Sequence, residues 1–362
     1  MNVKRVFGAV VLLCGASVLG LTVLMAANPR QSPTSVSSGV DANSASQRAD
    51  TQSQGQTPER KLAEIEGIWR DWMKRNGVEK SAMSLSKGGD ILKSAGVGRE
   101  PDRAYPLASL SKAITAICLN EVLSAHEFDW SSTIGELAAV LSQENITPAK
   151  EMKSLTLAEF ARHKSGLPRI VHQRKTALRK SNLPPQGAMT RAALSVPENF
   201  GKRGDFLYSN ANYAVLGSVA AALTGKSYGD TCKEEVLAPI GIKDAVADMR
   251  GGYGGWSMSS DDYARFASHW FELEKVNARQ FAKGGMPIRG SYGFGSGITT
   301  RENGRYYSHF GKWTNAGPRK QNVGALFLVA PDGIAFVASW QGSRDYDIYH
   351  DLKNKVMAAL AQ

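Results

Sequence analysis

The segment Pro106-Leu-Ala-Ser-Leu-Ser-Lys-Ala-Ile-Thr-Ala116 places Ser109 and Lys112 three residues apart at the predicted start of a helix. Apolar residues recur at helical spacing around the pair, at Leu107, Leu110, Ile114, Ile117, Cys118 and Val122. Positions i and i+3 share one face of a helix, so the lysine amine can lie beside the serine hydroxyl and help remove its proton. The pattern therefore predicts a serine nucleophile with a neighbouring activator.

A second serine–lysine pair with the same spacing, Ser84 and Lys87, lies in a different local pattern. Residues 82–90 alternate and then reach a Gly-Gly-Asp turn, which is typical of a β-hairpin. Residues three apart on a strand point to opposite faces, so this pair cannot cooperate. Ser109 is therefore the predicted nucleophile.

Length and composition predict one large domain behind an N-terminal leader. The chain has 362 residues, of which 42% are hydrophobic, enough to bury a sizeable core in one two-part domain. Residues 6–27 are apolar, uncharged and long enough to span a bilayer, and two basic residues precede them. We predict a membrane anchor at residues 1–27, with a cleaved signal sequence as the alternative. Residues 28–58 are then a Ser/Gln-rich flexible linker, and residues 59–362 the folded domain outside the cytoplasm.

Strand patterns lie near both ends of the folded part, with a long helical stretch between them. The hairpin at residues 82–90 follows an amphipathic helix, and later strands and a last helix are predicted at residues 292–298, 305–310, 323–330, 334–340 and 347–360. This order predicts an α/β (α+β) fold, in which helices flank an antiparallel sheet and a helical subdomain is inserted between its strands.

The three cysteines, Cys14, Cys118 and Cys232, are predicted to be small buried apolar residues rather than a disulfide framework. No spacing of cysteine and histidine resembles a metal site. The sequence therefore predicts neither a metal nor another cofactor.

Two further short motifs follow the serine–lysine pair. Tyr208-Ser-Asn210 is the only Tyr-x-Asn in the chain, and His309-Phe-Gly311 is the only His-x-Gly and ends a predicted strand. The order Ser-x-x-Lys, Tyr-x-Asn, His-x-Gly resembles that of the serine hydrolases that include class C β-lactamases, D-alanyl-D-alanine carboxypeptidases and related esterases and amide hydrolases. Residues 155–168, ending in Ser-Gly-Leu-Pro, and residues 254–266, a Gly-Gly turn leading into a helix, are also similar to family segments. The resemblance covers roughly residues 60–362 and implies the β-lactamase/transpeptidase-like fold.

The resemblance implies that Ser109 forms an acyl-enzyme, with Tyr208 as the base and Lys112 keeping the tyrosine partly ionised. Lowering a tyrosine pKa from about 10 to about 7 requires about 4 kcal/mol, which one ammonium at about 4 Å barely supplies. His309 or another cation is therefore expected to assist. A neutral Lys112 acting directly as the base stays open as the alternative.

The resemblance also implies a binding site for the substrate. The backbone N–H groups of Ser109 and Lys312 would form an oxyanion hole, and Asn210 would hold a substrate amide or carbonyl. His309 and Gly311 belong to the strand that would border the substrate.

Three residues depart from the family pattern or add to it. Phe310 stands where most β-lactam-binding relatives have a hydroxyl that helps hold a substrate carboxylate, so carboxylate-bearing β-lactams are expected to be poor substrates relative to uncharged esters. Lys312 could replace that anion contact. Met258 replaces a usual serine.

The chain is basic, with a formal net charge of +11. Six basic residues and no acid lie in residues 169–191, a pattern that favours anionic lipid headgroups, cell-wall polymers or acidic substrates, with an ordinary solvated face as the alternative. No recognition motif for nucleic acid is present, so nucleic acid is not a predicted partner.

Together these patterns predict a membrane-anchored serine hydrolase that acts outside the cytoplasm by acyl transfer. Its substrate would be a small ester, a D-amino-acid peptide or a β-lactam-like compound. The alternative is a catalytically weak relative that binds cell-wall peptides as a sensor or scaffold.

Overall fold

The computed structural model describes residues 57–168, 185–195, 201–281, 291–316, 321–342 and 346–362. They belong to a compact unit, Gln56–Gln362. The predicted anchor at residues 1–27, nearly all of the predicted linker and most of the basic segment 169–191 lie outside the described residues. Within the described ranges, no helix combines the length and apolar character needed to cross a membrane.

Within the described residues, ten strands form two antiparallel sheets. The strands are β1 (Ser81–Lys87), β2 (Asp90–Val97), β3 (Tyr105–Pro106), β4 (Val246–Ala247), β5 (Trp256–Met258), β6 (Tyr292–Gly293), β7 (Ser296–Arg301), β8 (Gly304–Ala316), β9 (Gln321–Val329) and β10 (Ile334–Gln341). Seven of them build the main sheet in the order β2-β1-β10-β9-β8-β7-β6, and the other three form a small sheet in the order β3-β5-β4. The predicted antiparallel sheet is confirmed.

Helices cover both faces of the main sheet. They are α1 (Pro58–Arg75), α2 (Ser111–Ser124), α3 (Ala138–Ser142), α4 (Leu157–Ala161), α5 (Gln186–Leu194), α6 (Asn210–Thr224), α7 (Tyr228–Cys232), α8 (Ser260–Trp270), α9 (Leu273–Phe281) and α10 (Tyr346–Leu360). The first and last helices pack together, where the Trp72 indole N–H donates to the Ile348 carbonyl at 2.8 Å and Arg75 pairs with Asp351 at 3.2 Å. The helices between α1 and α10 include those of the predicted helical subdomain.

Alternation along β9 explains why the sheet has a core on each side. Leu326 and Leu328 pack into the core beneath α1 and α10, whereas Phe327 and Val329 pack into the larger core around α2 and α6. Successive side chains of a strand point to opposite faces, so a strand covered on both sides is apolar at nearly every position. The predicted apolar run at residues 323–330 is such a strand.

The prediction for two of the cysteines is wrong. Cys118 in α2 and Cys232 at the end of α7 form a disulfide across a sequence separation of 114 residues. Both are fully buried, as predicted, but the packing of α2 against α7 brings the two sulfur atoms together. Cys14 lies outside the described residues.

Candidate active site

Ser109 lies on a strained turn directly before α2. The 3₁₀ turn Ala108–Leu110 precedes the helix, and Ala108 has a φ of 49°, which costs free energy in a residue with a side chain. The Tyr263 hydroxyl donates to the Leu110 carbonyl at 2.8 Å and so helps to hold this turn. Ser84, from the second serine–lysine pair, lies in β1 as predicted, and its hydroxyl donates to Asp261.

Lys112 is fully buried and has three polar partners. Its Nζ lies 3.1 Å from Ser109 Oγ, 2.9 Å from Asn210 Oδ1 and 2.7 Å from the Tyr253 carbonyl oxygen. Carbonyl and amide oxygens only accept, so two N–H groups of the amine are used on Asn210 and Tyr253. A neutral amine then has one lone pair left for the Ser109 hydroxyl.

Burial lowers the pKa of Lys112 well below its ordinary value. Burial therefore favours a neutral Lys112 in the resting site, and its three polar partners are compatible with that form. This is the alternative that the sequence left open, a lysine able to accept the Ser109 proton directly.

The expected lowering of the Tyr208 pKa is wrong. Burial raises the pKa of this phenol, and the hydrogen bond with Ser109 only partly offsets that effect. Burial, with a smaller effect of the neighbouring Lys112, lowers the pKa of His309 to about 3, which disfavours a charged His309 as the expected assisting cation and leaves another cation open. Burial therefore favours the neutral phenol of Tyr208, and Lys112 Nζ lies 5.0 Å from the centroid of its ring.

The start of α6 positions two of the predicted residues. Ser209 is the N-cap of this helix, and its hydroxyl accepts from the Ala211 N–H at 3.3 Å. Tyr208 and Asn210 flank that cap. Because Asn210 Oδ1 accepts from Lys112, the predicted contact of Asn210 with a substrate would have to use its amide nitrogen.

Strand β8 passes close to the Ser109 turn at Gly311. A Cβ at Gly311 would lie 2.2 Å from the Leu107 carbonyl oxygen, so only glycine permits this approach. Pairing of β7 with β8 spans Gly304 to Ser308, and the close approach lies just beyond it. The oxyanion hole assigned to the N–H groups of Ser109 and Lys312 stays a prediction, and the short distance between strand and turn supports it.

His163 and the Tyr253 carbonyl were not identified from the sequence. His163 is fully buried with a φ of 56°, its Nδ1 accepts from the Ser209 N–H at 3.2 Å, and its ring centroid lies 4.5 Å from that of Tyr208. It belongs to the family-like segment 155–168, which was the available signal. No side-chain pattern can reveal a backbone acceptor such as Tyr253.

A cavity of about 820 Å³ opens beside the nucleophile. Ser109, Tyr208, Asn210, His309 and Lys312 line it, and Lys112 lies buried beneath. The structure thus brings the predicted residues together around one cavity, while their individual roles remain predictions.

The helix α10 supplies a wall of this cavity that the sequence did not reveal. His350 and Lys353 line the cavity together with Lys312, and the described lining residues include no carboxylate. Phe310 packs against α10, with its ring centroid 5.0 Å from that of His350 and 5.9 Å from Lys353 Nζ. Phe310, which stands in place of the family hydroxyl, thus packs against Tyr349, His350 and Lys353 of α10.

The fold and the residues gathered around Ser109 define a serine hydrolase of the β-lactamase and penicillin-binding-protein superfamily. Residues 68–350 match the family model described as Beta-lactamase, and the chain belongs to that family. No curated protein sequence matches the chain significantly.

Several solved structures share the fold. The D-amino acid amidase from Ochrobactrum anthropi SV3, complexed with L-phenylalanine amide, has a TM-score of 0.61 at 16% identity and covers 83% of this chain and 98% of its own. The D-stereospecific amidohydrolase from a Streptomyces species has a TM-score of 0.58 at 16% identity, with coverages of 80% and 98%. The octameric penicillin-binding protein homologue from Pyrococcus abyssi has a TM-score of 0.59 at 17% identity, with coverages of 83% and 78%. At these identities the likeness shows the fold alone.

Proposed function

We propose that this protein is an extracytoplasmic serine hydrolase that forms an acyl-enzyme on Ser109 and hydrolyses an ester or amide. The observation that carries the proposal is the 3.1 Å contact between Lys112 Nζ and Ser109 Oγ. Asn210 Oδ1 and the Tyr253 carbonyl can accept both hydrogens of a neutral amine, which would leave its lone pair available for the Ser109 proton.

In the proposed reaction Lys112 accepts the Ser109 proton as Oγ attacks the substrate carbonyl carbon. The oxyanion that forms is stabilised by the N–H groups of Ser109 and Lys312. Tyr208 then gives its phenolic proton to the leaving amine or alcohol and regains a proton from Lys112. Attack by water on the acyl-enzyme returns the proton to Ser109 and releases a carboxylic acid.

We propose derivatives of D-amino acids as the substrates to test first. The named activities of the amidase and the amidohydrolase among the structural neighbours support this choice. Lys312, His350 and Lys353 form a basic wall of the cavity. Since Phe310 offers no hydroxyl to bind a substrate carboxylate, we propose that this wall attracts the carboxylate by charge.

The proposed location rests on two features. The N-terminal segment at residues 1–27 has the composition of an anchor or signal. The disulfide between Cys118 and Cys232 supports an oxidising compartment, since disulfides persist mainly outside the cytoplasm. Full-length protein should fractionate with membranes and resist extraction by salt. A mature N-terminus near residue 28 on protein recovered from the cell exterior would contradict the anchor and favour a cleaved signal.

The test of the function combines labelling and turnover. A fluorescent fluorophosphonate should label Ser109 stoichiometrically, and a panel of nitrophenyl esters, D-amino-acid amides and a chromogenic cephalosporin should reveal turnover. Labelling without any turnover would favour the sensor or scaffold instead. Absence of both would contradict the acyl-enzyme.

A further inference from the structure

A glycine-rich loop, residues 251–256, lies across the N-terminal turns of α2 and contacts each of them through hydrogen bonds. Thr115 Oγ1 donates to the Gly252 carbonyl at 2.6 Å, and Lys112 donates to the Tyr253 carbonyl at 2.7 Å. At the end of the loop, the Trp256 N–H donates to the Ser111 hydroxyl at 3.1 Å. We call this segment the glycine loop. The position of the glycine loop sets the position of the Tyr253 carbonyl, which accepts a hydrogen bond from Lys112.

Trp313 contacts the backbone of the glycine loop directly. Its indole N–H donates to the Gly254 carbonyl at 3.1 Å, directly after the residue that accepts from Lys112. A Cβ at Gly254 would lie 2.5 Å from the indole Cζ2, so the ring contacts the loop backbone itself. The ring also lies at a T-shaped angle to Tyr253, with the centroids 6.4 Å apart.

Arg250, the residue directly before the glycine loop, also contacts Trp313. Its guanidinium lies over the Trp313 ring, 4.9 Å from the centroid, and is held in place by hydrogen bonds from its Nε to both carboxylate oxygens of Asp248 at 3.0 and 2.9 Å. The indole thus contacts both the loop backbone and an oriented cation.

Trp313 follows Lys312 directly on β8, and Lys312 is the residue whose backbone N–H is assigned to the oxyanion hole. One side chain therefore ties the strand beside the oxyanion hole to the loop that supplies an acceptor to Lys112. These two parts of the site are far apart in sequence and must keep a fixed spacing to act on one carbonyl group.

We propose that Trp313 is a positioning residue, which fixes the glycine loop against β8 and thereby holds the Tyr253 carbonyl in place for Lys112. The inference rests on the proposed function. It goes beyond that function because Trp313 neither lines the cavity nor contacts Lys112.

The proposal predicts a particular kinetic signature. When Lys112 takes the Ser109 proton, the ammonium needs all three of its partners, so a displaced Tyr253 carbonyl weakens the charged form more than the neutral one. The acidic limb of the pH profile of kcat/KM should then move to lower pH, because protonation of Lys112 becomes harder. At the same time kcat should fall, because the base is weaker, while KM changes little.

The test replaces the indole but keeps an aromatic ring. With p-nitrophenyl acetate as the probe, Trp313→Phe should lower kcat about 3- to 10-fold, the size of one lost hydrogen bond, and leave KM within about twofold. The matched control is Trp270→Phe. That indole also donates to a backbone carbonyl, that of Val236 at 3.2 Å, and also lies beneath an arginine, Arg279 at 4.7 Å, but it contacts neither Lys112 nor the glycine loop.

A second variant reaches the same contact from the other side. Gly254→Ala should push the indole away and reproduce the loss of kcat and the pH shift, and the double variant with Trp313→Phe should lose less than the product of the two effects. If Trp313→Phe does not fold, as judged by circular dichroism and thermal melting, Gly254→Ala decides alone.

The outcomes separate this proposal from the proposed function. If wild-type protein is neither labelled by fluorophosphonate nor active on the ester, the proposed function fails. If wild-type protein is active and Trp313→Phe matches Trp270→Phe in kcat and in pH profile, the positioning role is overturned. A uniform loss in both tryptophan variants without any shift of the acidic limb also overturns it, because that result indicates a general effect on stability.

Discussion

Removal of the disulfide between Cys118 and Cys232 should cost much of the stability of the folded unit. The bond closes a loop across a sequence separation of 114 residues. In the chain-entropy treatment, a loop of this length removes about 16 cal/mol/K from the unfolded state, or about 5 kcal/mol at 25 °C. Whole domains are stable by only about 5–15 kcal/mol. The double variant Cys118→Ala/Cys232→Ala should therefore be severely destabilised.

Urea denaturation followed by tryptophan fluorescence measures this loss. We expect the free energy of unfolding to fall by about 3–5 kcal/mol, which is slightly below the entropic figure because unfolded chains retain some compactness. At about 2.1 cal/mol/K per residue over the compact unit Gln56–Gln362, this corresponds to a fall in Tm of roughly 5–8 °C.

Two controls make the result interpretable. Cys14→Ser should leave the unfolding curve unchanged, and thiol titration of denatured wild-type protein should give two more thiols after reduction than before. The reasoning would be refuted by a double variant whose free energy of unfolding lies within about 1 kcal/mol of wild type, or by equal thiol counts before and after reduction.

Three further predictions concern the site. Ser109→Ala should abolish labelling and lower turnover by far more than a hundredfold, whereas Ser84→Ala should keep both activities; measurable labelling of Ser109→Ala would rule out this nucleophile. Burial lowers the pKa of Lys112 and raises that of Tyr208, so kcat/KM should rise with pH as Lys112 loses its proton. Tyr208→Phe should lower the rate but keep this rise with pH. If the rise disappears in Tyr208→Phe, the tyrosine is the base. Phe310→Thr should raise activity on carboxylate-bearing β-lactams or D-alanyl peptides. In the wild-type protein, KM for such anionic substrates should increase with salt, whereas KM for neutral esters should not. A KM for anionic substrates that does not depend on salt would argue against binding by the basic wall.

Periodicity predicted the parts of the fold that depend on local pattern. The hairpin around Ser84, the apolar run of β9 and the terminal helices all repeat with the spacing of their element, because one or both faces are buried. The small sheet was missed, since β3 and β4 have only two residues each and no period to detect. The disulfide was missed because pairing across 114 residues depends on how α2 packs against α7.

The site was predictable where short motifs mark it and unpredictable where the backbone or the environment decides. Ser109, Lys112 and Tyr208 stand in motifs, and the structure brings them together. Their charge states depend on burial, which a sequence does not reveal, so the expected ionisation of Tyr208 was wrong. The Tyr253 carbonyl carries no side-chain signal, and Lys353 joins the site only because α10 packs beside β8.

The order of strands in the main sheet has a consequence for biogenesis. Strand β1, from the beginning of the folded part, pairs with β10 near its end, with Leu85 opposite Phe336. The centre of the sheet therefore cannot close on the ribosome until almost the whole polypeptide has been made. A nascent chain that stays open until synthesis ends remains competent for threading through a translocation pore.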